Sequence, residues 1–173
     1  MGNMTFFRDG NRSRDVGCSK CASLSGMNRM EMSDAATLMT LLRNANRSST
    51  LSTLLPGWDM LQADVPSRER VETAIAILVG SGLAEVDSSW GTRLTEQGGR
   101  LRRSVKGTQG MRMVQGAISD LLAGCQVRHA TLNLPQSVYE AALQDYLDAA
   151  RHRAERRSRH RWWWPDPFRR PVQ

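Results

Sequence analysis

The chain has 173 residues, of which 40 % are hydrophobic but only 6 % aromatic, and its formal net charge is +7. This length is enough for one domain with appendages, and no apolar run approaches the roughly 18 to 20 residues needed to cross a bilayer. Because the first residues also lack the apolar centre of a secretion signal, we expect a cytoplasmic protein without a transmembrane segment.

The excess positive charge is concentrated at the C-terminal end of the sequence. Residues 1–32 carry five basic and three acidic groups, residues 33–150 carry eleven and twelve, and residues 151–173 carry eight and two. The net charges of these ranges are therefore +2, −1 and +6, which sum to +7. Because the middle of the chain is nearly neutral, the high total does not by itself indicate that the folded part binds nucleic acid.

Residues 1–32 are predicted to be a disordered leader, because Gly, Asn, Ser and Arg are scattered there without a period and little apolar surface offsets the entropy of ordering. Cys18 and Cys21 have the Cys-x-x-Cys spacing of half a zinc site, for which Cys125 and His129 could supply two more ligands. Since about a hundred residues separate the two halves, we predict no metal and no cofactor. Cys125 is then expected as a small core residue.

Two helices are predicted between Ser33 and Asp64. Ser33 and Asp34 are suited to cap the first helix, which has leucines on its buried side. The second helix is expected to be interrupted at Pro56 and Gly57. Trp58 is interpreted as a core residue rather than as a side chain that stacks on a ligand.

The stretch 66–103 has the most informative pattern of the chain. A third helix from Ser67 to Ser81 is predicted by an apolar period of about 3.6 residues, carried by Val71, Ala74, Ile75 and Leu78. Residues 83–86 alternate between apolar and polar, residues 87–89 have the composition of a turn, and residues 90–94 can return as the partner strand. Thr95 and Glu96 suit the start of a fourth helix.

This order of helix, hairpin and helix resembles the winged-helix family. The resemblance is carried by Gly82-Leu83-Ala84-Glu85-Val86, by the hairpin, and by Leu94-Thr95-Glu96-Gln97-Gly98 with Gly99-Arg100-Leu101 after it. It implies a mainly α fold with a small β-hairpin (α+β). A winged helix-turn-helix core over residues 33–106 would then be followed by C-terminal amphipathic helices.

The resemblance further implies a transcriptional regulator that binds a specific sequence of double-stranded DNA. In helix-turn-helix proteins the recognition helix presents its N-terminal side chains to base edges in the major groove. The matching positions are Arg68, Arg70 and Thr73 on the third helix, Arg93 on the hairpin, and Arg100, Arg102 and Arg103 on the fourth helix. The arginines of the fourth helix are equally consistent with a phosphate clamp and with a solvated basic face.

The outward face of the third helix leaves its partner open. A helical wheel places Glu69, Thr73, Ala76 and Gly80 at the centre of that face. Glu69 and Glu72 would oppose DNA phosphates, whereas the small residues at 76 and 80 permit close approach of either a DNA backbone or a partner helix. The alternative function is therefore a winged-helix protein–protein interaction module.

Residues 107–150 are predicted to be a helical extension, with amphipathic helices over 108–126 and 135–156. Their apolar stripes can cover the core of their own chain or pair with a second copy in a homodimer. Residues 151–173 are predicted to be a basic tail that contains Trp162-Trp163-Trp164. Such a tail suits nucleic acid, an acidic partner or an anionic membrane surface, or it can fold its tryptophans back onto an apolar groove.

Motifs of catalysis are absent from the sequence. It contains no Gly-rich phosphate loop, no Gly-x-Ser-x-Gly and no His-Glu-x-x-His. The histidines at 129, 152 and 160 have no evident carboxylate or nucleophile partner. We therefore predict that the protein is not an enzyme.

Overall fold

The computed structural model describes residues 29–42, 47–105 and 110–161, which form six helices and one small hairpin. The helices are α1 (Arg29–Leu41), α2 (Leu51–Gln62), α3 (Arg68–Gly80), α4 (Glu96–Ser104), α5 (Met111–Ala123) and α6 (Gln136–Arg161), and the strands are β1 (Ala84–Val86) and β2 (Thr92–Leu94). The mainly helical fold with a small hairpin confirms the expected α+β class. The predictions for residues 1–28, which include Cys18 and Cys21, and for Trp162–Trp164 lie outside the described residues.

The first two helices differ from the sequence-based expectation. α1 begins at Arg29, so Ser33 and Asp34 lie inside it and do not cap it. α2 continues through Pro56, where an interruption was predicted. The proline removes a single backbone donor, and burial of the apolar side of α2, which includes Trp58 at 1 % exposure, outweighs that loss. The expectation that Trp58 is a core residue is confirmed.

The hairpin predicted for residues 83–94 forms, with its strands at Ala84–Val86 and Thr92–Leu94. β1 and β2 are antiparallel, with Glu85 opposite Arg93. Ser49 pairs with Thr92 on the outer side of β2 through N–H···O bonds of 2.8 and 2.9 Å, which fixes the start of α2 beside the hairpin.

One hydrophobic core combines residues from both halves of the chain. It contains buried side chains of α1, α2, α3 and the hairpin together with Val114, Ile118 and Leu122 of α5 and Ala142 of α6. The apolar stripes of α5 and α6 therefore cover the core of their own chain, which is one of the two uses that the sequence allowed.

α6 packs antiparallel to α2 and extends beyond its first residue. The hydroxyl of Tyr139 donates to the carbonyl of Pro66 at 2.6 Å, and the hydroxyl of Tyr146 donates to Asp59 Oδ2 at 2.8 Å. Further along α6, Arg153 lines a cleft together with Pro56. At a rise of about 1.5 Å per residue, α6 continues for about 12 Å from Arg153 to its last residue, and α2 continues for about 7.5 Å from Pro56 to its first residue. The end of α6 therefore projects past α2 by roughly one turn.

Candidate nucleic-acid interface

Arg70 makes contacts inside the protein. Its Nε and Nη2 donate to the two carboxylate oxygens of Asp34 at 2.9 and 2.8 Å, and its Nη1 donates to Asp64 Oδ2 at 2.8 Å. The bonds to Asp34 raise the pKa of the Arg70 guanidinium above its usual value. The side chain is 21 % exposed and that of Asp34 only 4 %, so a contact between Arg70 and a DNA base would require this pair to break.

The ion pair belongs to a polar network that joins four helices. Gln62 Oε1 accepts from Arg70 Nη2 at 2.9 Å, and Gln62 Nε2 donates to Asp34 Oδ1 at 3.1 Å and to the hydroxyl of Thr37 at 2.6 Å. Gln115 Nε2 donates to the same hydroxyl at 2.8 Å. Residues of α1, α2, α3 and α5 are thus joined by satisfied hydrogen bonds, which are needed because an unpaired polar group is costly in such a location.

Arg68 points away from Arg70, toward the segment that precedes α6. Its Nη1 donates to Glu72 Oε2 at 3.1 Å and to the carbonyl of Leu134 at 2.8 Å. Glu72 Oε2 also accepts from the N–H of Leu134 at 2.8 Å. Residues two positions apart on a helix point in directions that differ by about 200°, so the two arginines make separate contacts.

The chain covers much of the face of α3 that was expected to point outward. Residues 126–134, which we call the connector, run along α3, and the N–H of Ala130 donates to the carbonyl of Ala76 at 2.9 Å. A Cβ on Gly80 would lie 2.3 Å from the carbonyl oxygen of Arg128. The small residues at 76 and 80 therefore accommodate the connector. Glu69 remains exposed and Thr73 partly exposed.

The arginines of the hairpin and of α4 divide into accessible and packed side chains. Arg93 donates to Glu85 Oε2 at 3.0 and 2.7 Å, and Arg100 donates to Glu96 Oε1 at 2.5 Å. Both pairs are more than half exposed and of the kind that contributes little to stability. Arg103 is exposed, whereas Arg102 is partly buried and donates to the carbonyl of Thr40 at 3.1 Å. The accessible arginines of this set are Arg93, Arg100 and Arg103.

The hairpin turn is organised by Asp87. Its Oδ1 accepts from the hydroxyl and N–H of Ser89 at 2.7 and 2.9 Å and from the N–H of Gly91 at 2.8 Å, and its Oδ2 accepts from the hydroxyl of Ser48 at 3.0 Å. These bonds, with the Ser89 hydroxyl first, lower the pKa of Asp87 from 3.8 to about 2. The carboxylate thereby holds the turn against the residues that precede α2.

We expect the turn to lose this stabilisation in acid. Because the folded pKa of Asp87 is the lower one, its contribution is complete above about pH 3.8 and is lost as the pH falls toward about 2. The carboxyl carbon resonance of Asp87 should titrate with a midpoint near 2. Ser89→Ala removes the largest contribution and should move that midpoint upward. A wild-type midpoint near 3.8 would contradict the assignment.

The largest concentration of arginines in the described ranges is at the C-terminal end of α6, residues 151–161, which we call the basic end of α6. It contains six arginines and one acid, Glu155. The side chains of Arg151, Arg153, Arg156 and Arg157 are exposed. The sequence placed these residues in a tail and predicted the helix only to 156, although no Pro or Gly occurs between Pro135 and Pro165. That absence of helix breakers is the signal that could have indicated the longer helix.

A cleft lies between the basic end of α6 and α2. It has a volume of about 910 Å³ and is lined by Pro56, Ala149, His152, Arg153, Glu155 and Arg156. His152 Nδ1 lies 3.6 Å from Glu155 Oε2, and Arg151 lies 3.5 Å from Asp148. Both of these pairs are solvent-exposed, so the arginines of this surface are available to an anionic partner.

No group of three or more His, Cys, Asp or Glu side chains suited to a metal ion occurs within 29–42, 47–105 and 110–161. None of the helices in these ranges is long and apolar enough to cross a membrane. Searches of protein families, of curated proteins and of solved structures found no similar protein.

Proposed function

We propose that this protein is a DNA-binding regulator of the winged-helix type, and that it holds double-stranded DNA mainly through phosphate contacts from the basic end of α6. The observation that carries the proposal is the exposure of four arginines, at 151, 153, 156 and 157, on a helix that projects past α2. Six arginines against Glu155 give residues 151–161 a net charge of +5. Such a density of positive charge favours the release of counterions from a duplex.

The helical conformation supports this role. Arg153, Arg156 and Arg157 are spaced by three and four residues, which keeps them on neighbouring parts of one helical surface. Arginine binds phosphate through a rigid fork of donors. Arg93, Arg100 and Arg103 offer a second accessible set. Arg103 is exposed, and the exposed carboxylate partners of Arg93 and Arg100 can be exchanged for phosphates at little cost.

Phosphate contacts carry no sequence information, so recognition of a specific sequence needs other groups. Arg68 and Arg70 would have to leave Glu72 and Asp34, to which they donate in this structure. Thr73, which is partly exposed, is the α3 residue of the predicted set that can reach a base without breaking an ion pair. The arginines therefore supply most of the affinity for DNA, and only a small part of α3 is available for contacts with bases.

The test is the salt dependence of binding to a fluorescent duplex between 50 and 200 mM salt. Replacing Arg153 and Arg156 with Gln should make the slope of log K against log salt shallower by about 2, because each lost phosphate contact removes about 0.9. The control is Arg29→Gln with Arg128→Gln, which also removes two positive charges, at exposed sites away from this surface. Equal slopes for the two variants, or no binding of the wild type at 50 mM salt, would refute the proposal.

The second candidate function is a protein–protein interaction module that recruits an acidic partner. It is favoured by the internal contacts of Arg68 and Arg70 and by the connector on Ala76 and Gly80, which together occupy the helix expected to read bases. Competition distinguishes the two candidates. If polyglutamate displaces a bound duplex as effectively as unlabelled duplex of equal charge, the second candidate is the better description.

A further inference from the structure

The solvent side of α5 carries charges of opposite sign on either side of a glycine. Arg112, Gly116 and Asp120 follow one another at intervals of four residues, which places them on one face of the helix. All three are exposed. Neither Arg112 nor Asp120 forms an ion pair with another residue of the described ranges. This face is therefore unpartnered within the described part of the chain.

Gly116 is not required for packing against any of the residues that the structure describes. A Cβ at this position would meet no atom within 4 Å, and only proline is a poorer residue for the interior of a helix. The absence of a side chain does allow another helix to come close. An apolar side chain lies next to it on this face, since Met113 is about 60° from Gly116 around the helix and is 59 % exposed.

The charge pattern is complementary to itself in one orientation. Arg112 and Asp120 are eight residues apart, which is about 12 Å along the helix. If a second α5 crosses the first in the antiparallel direction at Gly116, Arg112 of each copy comes opposite Asp120 of the other. A parallel crossing would instead place like charges together. An antiparallel contact repeats the same pair twice, as a two-fold axis requires.

We propose that the exposed face of α5 binds a second copy of this chain, with the two α5 helices antiparallel and Gly116 at the crossing point. The contact combines two Arg112–Asp120 pairs with the apolar surface of Met113. It rests on α5 alone and does not depend on the proposed binding of DNA by α6.

The test is the sedimentation behaviour of the full chain over a range of concentrations. Arg112→Asp or Asp120→Arg alone turns two attractive pairs into two repulsive ones and should raise the dissociation constant of the dimer by about ten- to thirtyfold. The double variant R112D/D120R restores both pairs and should return the constant to within about threefold of the wild type. Asp145→Arg, at an exposed site on α6, makes the same change of charge as Asp120→Arg and should leave the dimer intact.

Three results would overturn the proposal. The first is a wild-type chain that is monomeric at every concentration. The second is a dimer that Asp120→Arg affects no more than Asp145→Arg, which would place the contact elsewhere. The third is a double variant that stays as weak as the single ones. Circular dichroism of each variant shows whether the helices are retained, and the recovery in the double variant excludes a folding defect at either position.

Discussion

Asp34→Ala should lower the free energy of unfolding by about 3 to 5 kcal/mol, because it leaves the guanidinium of Arg70 without its main partner in a largely buried location. Asp34 is 4 % exposed at its side chain and accepts two hydrogen bonds from Arg70 and one from Gln62. The change therefore removes three bonds of one network. Denaturation by urea, followed by circular dichroism, measures the effect.

Asp64→Ala is the matched control for this change. Asp64 Oδ2 also lies 2.8 Å from Arg70, but its side chain is 62 % exposed, so its loss should cost no more than about 1 kcal/mol. Replacing both members of the buried pair, by Asp34→Ala with Arg70→Met, should recover part of the loss because no unpaired charge remains. Equal effects of the Asp34 and Asp64 changes would show that the buried ion pair contributes no more to the free energy of unfolding than the exposed one.

Gly80→Ala should lower the free energy of unfolding by about 2 to 3 kcal/mol, since it overpacks a contact between two backbones. The added Cβ would lie 2.3 Å from the carbonyl oxygen of Arg128, 2.5 Å from the nitrogen of Ala130 and 2.6 Å from the carbonyl carbon of His129. These atoms cannot move aside by a change of rotamer, so the connector must shift as a whole. Urea denaturation measures the loss of stability.

Amide hydrogen exchange locates that shift. The N–H of Ala130, which donates to Ala76, should exchange faster in Gly80→Ala than in the wild type. Gly124→Ala is the control, because its Cβ would come no closer than 3.6 Å to the nearest atom. The proposed position of the connector would be incorrect if Gly80→Ala were as well tolerated as Gly124→Ala and left the exchange of Ala130 unchanged.

Local patterns were sufficient to predict α3 and the hairpin. The period of Val71, Ala74, Ile75 and Leu78 and the capping residues Ser67 and Thr95 act over a few residues, and both caps accept the expected backbone N–H. Because these signals involve residues only three or four positions apart, they can be read from the sequence pattern. The turn at Asp87 was likewise indicated by its composition.

The orientation of Arg70 and Arg68 could not be predicted in the same way. Asp34 precedes Arg70 by 36 residues and Leu134 follows Arg68 by 66, so their partners are brought close only by the tertiary fold. The start of α1 was misplaced for the same reason, because Asp34 has the composition of a cap and is instead a buried ion-pair partner. Of the predicted arginines, Arg93, Arg100 and Arg103 remain accessible, and the carboxylate partners of Arg93 and Arg100 are close in sequence.

The pairing of early helices with late ones has a consequence for synthesis on the ribosome. Gln115 bonds to Ser33, 82 residues before it, and Tyr146 bonds to Asp59, 87 residues before it. At about 5 to 20 residues per second, α1 and α2 wait roughly 4 to 17 seconds for the helices that cover them. During that interval the nascent chain exposes apolar helix faces, so a molecule released before α5 and α6 are complete should be a substrate for chaperones or proteases.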